Sequence, residues 1–238
     1  MTADRADAWV YESLVDAIPG ADLSVRYSIG LQILAFEAAV LAVAARYGLW
    51  SAVPAATVAV AVAGVGSWFM LSISRRIREI DAPAAYTRLL FGSSVEVALS
   101  VLAFACFVTY LFVVDPRASE SPLLTALLGT DPPAVAVVLL LLVSWDLVYR
   151  IGTCWWASVV ALWRASRYAF DPATTRRYAR IDGRYVVFAA VQLSLVPFVA
   201  EQIVLAVALI GHVLAVVVVS VAAIVLQRRR ATPSQGAT

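Results

Sequence analysis

The sequence predicts an all-helical bundle that crosses a membrane about six times, with both termini in the cytoplasm. Of the 238 residues, 62% are hydrophobic and only 14% are charged, and the mean hydropathy is +0.86. A soluble globular chain is usually about a quarter charged and half apolar. Long apolar stretches that recur along the chain are the third observation. Together they exclude a soluble enzyme.

Residues 1–26 are predicted to form a cytoplasmic segment that contains a short amphipathic helix. Trp9, Leu14 and Ile18 recur at helical spacing after Asp7, a residue type that caps helices well. The polar side of this helix is acidic, whereas helices that bind anionic lipid are usually basic. We therefore expect it to pack on the arginine-rich segments of the same chain rather than on lipid. The segment lacks the basic start of a signal peptide, so we expect no cleavage.

The predicted transmembrane domain covers residues 27–227, and residues 228–238 form a cytoplasmic tail. A hydrocarbon core about 30 Å thick needs about twenty helical residues, and six stretches meet or approach that length. They are residues 27–47, 49–70, 92–114, 133–163, 184–200 and 204–226. The fifth stretch is short and carries Pro197, so one bent helix in place of the last two, giving five spans, is the alternative.

The distribution of arginine predicts the topology. All eighteen basic residues are Arg. With the N-terminus inside, fifteen of them fall in cytoplasmic segments, whereas only Arg46 and Arg117 fall outside and Arg150 lies within a span. By the positive-inside rule, both termini should face the cytoplasm of a cell-membrane protein.

The arginine-rich segments also suggest a partner. They could meet anionic lipid headgroups, at about 1 kcal/mol per Arg near the surface, or they could act as topology signals alone. A nucleic-acid partner is not expected, because the basic segments are short and carry no recognisable motif. Asp81 and Asp171, each followed by Pro within two residues, are predicted to start helices in these segments.

The candidate functional site is a set of polar residues inside the predicted spans, where each ionisable side chain costs several kcal/mol unless it is paired, wetted or neutralised. Asp146 and Arg150 are four residues apart, so they share a helix face and can pair. This pair is either a structural lock or part of a path for a ligand or solute. The full set is Glu37, Glu96, Asp146, Arg150, Gln192 and His212.

Three other members of this set carry individual predictions. Glu96 follows Ser93 at capping-box spacing, which predicts that it caps the third span. Glu37 has no basic residue within reach on its own helix, so it needs a partner from another helix, a water or a proton. His212 is expected to be a neutral imidazole at a helix contact, with proton relay or ligand binding as the alternatives.

The second span supplies a packing surface of small residues. Ala59, Ala63 and Ser67 recur every four residues, and Gly66 lies beside them. Such a ridge lets another helix backbone come close.

Two motifs support a family resemblance. Residues 145–153 read WDLVYRIGT and residues 91–96 read FGSSVE, in a Val- and Ala-rich chain without Lys. In these features the chain resembles uncharacterised multi-pass integral membrane proteins of halophilic archaea, a domain of unknown function. The resemblance covers most of the chain. It implies a membrane location and a helical architecture, and it transfers no catalytic residue.

Three function classes compete. Enzyme chemistry is not expected: Cys154 and His212 are predicted at different depths, and nucleophile, phosphate-loop and metal motifs are missing. One His and two Cys do not make a metal site, and no cofactor is expected. The class of structural or partner-binding membrane proteins requires the fewest specific sequence features. A small-solute or proton-linked transporter or channel that uses the buried polar residues is the alternative.

Overall fold

The computed structural model describes residues 25–231, and all regular structure in that part of the chain is helical, without strands. The predicted all-helical class is therefore confirmed. The predicted amphipathic helix within residues 1–26 lies outside the described residues. The helices are α1 (Val25–Tyr47), α2 (Val53–Arg78), α3 (Ala84–Phe91), α4 (Val95–Thr109), α5 (Asp115–Ala118), α6 (Leu123–Leu128), α7 (Ala134–Arg167), α8 (Pro172–Gln192), α9 (Val196–Val199) and α10 (Ile203–Arg229).

Six helical segments of the described chain are long and apolar enough to cross a membrane, as predicted. They are Tyr27–Tyr47, Trp50–Arg78, Ala84–Ala118, Ala134–Arg167, Pro172–Val199 and Ile203–Arg229. The five-span alternative is wrong, because the fifth segment ends at Val199 and α10 begins at Ile203. Gln202 leaves the helical conformation between them, with φ −91° and ψ 83°.

Several helices continue well beyond the apolar stretches that predict the spans. α2 runs on to Arg78, and α7 runs on to Arg167. α8 begins at Pro172, twelve residues before the predicted start at Arg184. At 1.5 Å per residue, the 34 residues of α7 extend about 51 Å, so this helix must tilt or project from a bilayer. Most of the arginines assigned to loops therefore lie on helices.

The two predicted helix starts have different outcomes. Asp171 caps α8 as predicted: its carboxylate accepts from the amides of Ala173 at 2.8 Å and Thr174 at 3.1 Å. Hydrogen bonds from the side chain and amide of Thr174, and from the amide of Ala173, hold the pKa of Asp171 below its usual value. At the other start, Pro83 rather than Asp81 precedes α3, and no side chain caps it. The Asp81 prediction is wrong.

α7 is the centre of the bundle. It packs against α1, α2 and α4 on some of its faces and against α8 and α10 on others. Its buried positions, which include Ala157, Val160 and Ala161, recur at three- and four-residue spacing and meet the core of the neighbouring helices. Because α7 contacts nearly every other long helix, its polar residues can join several helices at once.

Small residues bring α7 close to its neighbours. A Cβ atom added at Gly152 would lie 2.4 Å from Ser100 Oγ on α4 and 3.4 Å from Ser100 Cα. On α2, a Cβ added at Gly66 would lie 2.8 Å from Phe188 Cζ and 3.0 Å from Arg150 Cβ. The ridge predicted on the second span is thus a helix contact.

We expect Gly152→Ala to destabilise the protein by about 1–3 kcal/mol, because the added methyl group overpacks the contact with Ser100. Thermal unfolding in detergent measures the change. Gly211→Ala is the matched control, since a Cβ there meets nothing within 4 Å. Ser100→Ala in the Gly152→Ala background removes the clashing hydroxyl and should restore part of the loss. Equal melting temperatures for Gly152→Ala and Gly211→Ala would contradict the close contact.

Candidate functional site

Asp146 and Arg150 form the predicted ion pair, with Arg150 Nη2 2.8 Å from Asp146 Oδ1. The other carboxylate oxygen, Asp146 Oδ2, accepts from Gln32 Nε2 on α1 at 2.9 Å. Arg150 Nε donates to the backbone carbonyl of Ala63 on α2 at 3.3 Å. The Arg150 side chain is completely buried, whereas that of Asp146 is 17% exposed. This central cluster of Gln32, Ala63, Asp146 and Arg150 therefore ties α1, α2 and α7 together.

Gly66 makes room for this cluster. A side chain at position 66 would run into Arg150 Cβ and Cδ, at 3.0 and 3.1 Å from the added Cβ. The small-residue ridge and the ion pair therefore belong to one contact. The ridge allows the guanidinium to reach a backbone carbonyl of α2, which satisfies part of its hydrogen-bonding capacity inside the bundle.

Glu37 has a partner on another helix. Thr57 Oγ1 on α2 donates to Glu37 Oε1 at 2.7 Å, and the Glu37 side chain is half-buried. The partner from another helix is one of the three possibilities that the sequence left open. This bond joins α1 to α2 without a contribution from Asp146 or Arg150.

The predicted capping box at Glu96 is wrong. Ser94, not Ser93, precedes α4; it has a left-handed backbone with φ 53° and makes no side-chain cap. Glu96 is fully buried, and its carboxylate has no hydrogen-bond partner among the described residues. The left-handed turn changes the approach to the helix, so the side chain does not fold back over the first amides.

His212 and Gln192 are buried to different degrees. His212 is half-buried, and its ring meets the edge of Trp155 on α7 with centroids 6.3 Å apart. Gln192 is fully buried at the end of α8. Within residues 25–231, neither His212 Nε2 nor the Gln192 amide has a hydrogen-bond partner. Of the six candidate residues, only Asp146 and Arg150 hydrogen-bond to each other.

A second polar cluster was not predicted. Arg164 on α7 and Asp182 on α8 form a two-pronged ion pair, with Nη2–Oδ2 at 2.7 Å and Nη1–Oδ1 at 3.3 Å. Both side chains are completely buried. Tyr86 Oη of α3 accepts from Arg164 Nη1 at 3.4 Å, and Gln227 Oε1 of α10 accepts from Nε at 3.5 Å. The Tyr178 ring lies 3.9 Å from the guanidinium carbon. We call this set of five residues the Arg164 cluster.

The predicted fourth span ends at residue 163, which places Arg164 in the following loop, and that loop assignment is wrong because Arg164 lies on α7. A signal was present in the chain, because Ala157, Val160 and Ala161 continue at helical spacing to position 164. Asp182 was a second signal, since it is the one acidic residue in a run that contains Arg180 and Arg184. Neither feature enters a count of arginines by loop, so the count could not reveal this pair.

An apolar crevice of about 260 Å³ lies in the half of the bundle away from the arginine-rich helix ends. α7 forms its floor, α1 and α2 line one side, and α9 and α10 line the other. Every lining side chain except Ser144 is apolar. Representative lining residues from five elements are Val40, Ala56, Leu140, Phe198 and Leu209.

A short segment covers one end of this crevice and is fixed by two buried polar residues. Leu123 and Leu128 of α6 line the crevice. Asp115 Oδ2 accepts from the amide of Leu123 at 2.6 Å. Gln202 Nε2 donates to the carbonyl of Ser121 at 3.2 Å. These bonds hold the loop between α5 and α7 over the crevice.

A cavity of different chemistry, also about 260 Å³, lies at the arginine-rich end. Arg75, Arg76 and Glu79 line it from the end of α2, and Arg184 lines it from α8. Trp68, Ile29, Leu71 and Ser72 complete the lining. We call it the basic cavity.

The fold and these sites define an all-helical bundle that has six helices long and apolar enough to cross a membrane, buried ion pairs and two cavities of opposite chemistry. The chain belongs to a family of unknown function, DUF7530, whose model matches residues 4–223. No curated protein and no solved structure matches the chain. The resemblance to an uncharacterised family is thus confirmed, while the multi-pass membrane character of that family and its halophilic archaeal source stay predictions.

Proposed function

We propose that this protein is a non-catalytic, partner-binding protein of the cell membrane, and that its partner is the hydrocarbon chain of a lipid held in the apolar crevice. The crevice itself carries the proposal. An apolar cavity of about 150 Å³ stays dry and binds small hydrocarbons, and this crevice measures about 260 Å³. Among the side chains that line the crevice, only Ser144 could hydrogen-bond to water.

The free energy gained when a lipid chain binds in the crevice comes mainly from packing. A lipid tail in the bilayer is already in an apolar environment, so transfer into the crevice adds little hydrophobic free energy. An unfilled crevice, however, forfeits the dispersion contacts of its lining atoms. A hydrocarbon chain between α1–α2 and α9–α10 would restore those contacts and support the packing of the two sides on α7.

The buried ion pairs support a structural role for the rest of the bundle. The central cluster ties three helices, and the Arg164 cluster ties four. Neither the apolar crevice nor the basic cavity is lined by Glu37, Asp146 or Arg150. Asp146 and Arg150 each line a cavity of only about 10 Å³, which is about the room one water needs. This geometry favours a structural role, in which the ion pairs hold the helices together. A transporter would instead need a hydrated path along these residues.

We expect a phospholipid with a photoreactive group on its acyl chain to label the crevice in liposomes, at residues such as Leu140 and Leu209. Ala56→Trp should reduce labelling of these residues several-fold, because the indole fills the space between α2 and α7. Mass spectrometry of the cross-linked peptides measures the label.

Ala35→Trp is the matched control, since Ala35 is exposed on α1 and does not line the crevice. It should leave labelling of the crevice unchanged. Even labelling of all lipid-facing helices, with no effect of Ala56→Trp, would overturn the proposal.

A further inference from the structure

We infer that the basic cavity binds the phosphate-bearing headgroup of an anionic phospholipid. This site is separate from the apolar crevice and lies at the opposite end of the bundle. Three guanidinium groups and one carboxylate line the cavity, which leaves a net positive charge around a space of about 260 Å³. An anion is the ligand that such a lining favours.

Among residues 25–231, no carboxylate pairs with the arginines of the cavity. Arg184 Nη1 hydrogen-bonds to Ser72 Oγ, which fixes that guanidinium at the wall. Arg75 and Arg76 have no ion-pair partner among the described residues, although Glu79 lies nearby, just after the end of α2. Guanidinium groups present paired N–H donors that match phosphate oxygens, so the three arginines suit a phosphate better than a single carboxylate.

The position of the cavity favours a lipid over a soluble anion. Arg75 and Arg76 lie in the last turn of α2. Arginines near the end of a membrane-spanning helix extend towards the membrane surface. Trp68 lines the same cavity and is 51% exposed, and amphipathic rings of this kind are enriched at the headgroup level. Seven residues of helix separate Trp68 from Arg75, about 10 Å. A lipid phosphate can therefore reach the arginines while its chains run beside Trp68.

Binding to purified protein in a neutral detergent tests this inference. The probes are phosphatidylglycerol and phosphatidylcholine with identical chains, titrated and counted by native mass spectrometry. We expect the wild type to prefer phosphatidylglycerol. The Arg75→Gln/Arg76→Gln variant should bind it at least about tenfold more weakly, since two charge-assisted contacts are lost. Binding of phosphatidylcholine should not change.

The control variant Arg228→Gln/Arg229→Gln removes the same charge from exposed positions at the same end of the bundle. It should keep the preference for phosphatidylglycerol. An equal loss in both variants would show attraction to net charge alone and would overturn the inference.

Two further binding measurements identify what occupies the basic cavity. Inorganic phosphate that displaces the lipid at concentrations near the lipid's own Kd would show a site for free phosphate, which overturns the lipid assignment. Replacing Asp4, Asp7, Glu12 and Asp16 by their amides tests the acidic N-terminal segment as the occupant. Binding of phosphatidylglycerol that appears only in this variant would likewise overturn the inference. Binding that is the same with and without these carboxylates supports it.

Discussion

Arg164→Met is expected to destabilise the protein by about 3–5 kcal/mol, because it leaves the Asp182 carboxylate buried without its partner. The substitution also removes the donor to Tyr86 and Gln227 and the cation above the Tyr178 ring. Four helices meet at this guanidinium, so the effect should be global rather than confined to one helix end. Denaturant unfolding in detergent, followed by circular dichroism, measures the change.

Two variants make this result specific. Arg167→Met removes an exposed arginine three residues further along α7 and should change stability by less than about 0.5 kcal/mol. Arg164→Met combined with Asp182→Leu removes both charges and should be much less harmful than either single change. If Arg164→Met unfolds no earlier than Arg167→Met, the ion pair does not hold the helices together.

The fold was predictable because its main determinants act along one helix. Twenty apolar residues in a row need little information from the rest of the chain to form a span, and the number of spans followed from their lengths. The ends of the helices were not predictable in this way. Arg78 and Arg167 are polar, and the apolar stretches stop before them, yet the helices continue to these residues. On α7, this last part of the helix carries Arg164, whose partners lie on neighbouring helices.

In the candidate site, too, contacts within one helix were predictable, whereas contacts between helices were not. The Asp146–Arg150 pair depends on i, i+4 spacing in one helix, so the sequence contained it. The contacts of that pair with Gln32 and Ala63 depend on how α1 and α2 pack against α7, which spacing does not show. Arg164 and Asp182 lie on different helices, and each looked like an ordinary member of a charged segment. The capping box at Glu96 failed because a left-handed residue precedes the helix, a backbone choice that spacing does not encode.

The polar residues are arranged by level along the bundle. Asp115 and Gln202 secure the loop over the apolar crevice, the central cluster joins α1, α2 and α7, and the Arg164 cluster joins the helices at the arginine-rich end. In a bilayer the hydrophobic effect does little to hold helices together, so packing and interhelical hydrogen bonds carry that role. The hydrogen bonds and ion pairs at these three levels therefore supply contacts between helices that the hydrophobic effect does not.

Arg150→Met should destabilise the bundle by about 3 kcal/mol, at the lower end of the range for a broken buried pair. Asp146 keeps its hydrogen bond from Gln32 and is partly exposed, which lessens the cost of leaving it unpaired. Asp146→Leu combined with Arg150→Met should recover most of the loss, because no charge then stays buried. Unfolding of the two single variants and the double variant, under one set of detergent conditions, measures the coupling between the two residues.

Glu37→Gln separates this structural role from the transport alternative. The Gln carbonyl can still accept from Thr57 Oγ1, so the variant should fold and keep the α1–α2 contact. If Asp146 and Arg150 only lock the helices, any proton flux into liposomes, followed with an enclosed pH-sensitive dye, should be the same for the wild type, Glu37→Gln and the Asp146→Leu/Arg150→Met variant. Flux that the wild type shows and both variants lose, at unchanged stability, would establish a path through these residues. The bond to Thr57 and the small cavities beside Asp146 and Arg150 lead us to expect equal flux, because each of these cavities has room for about one water.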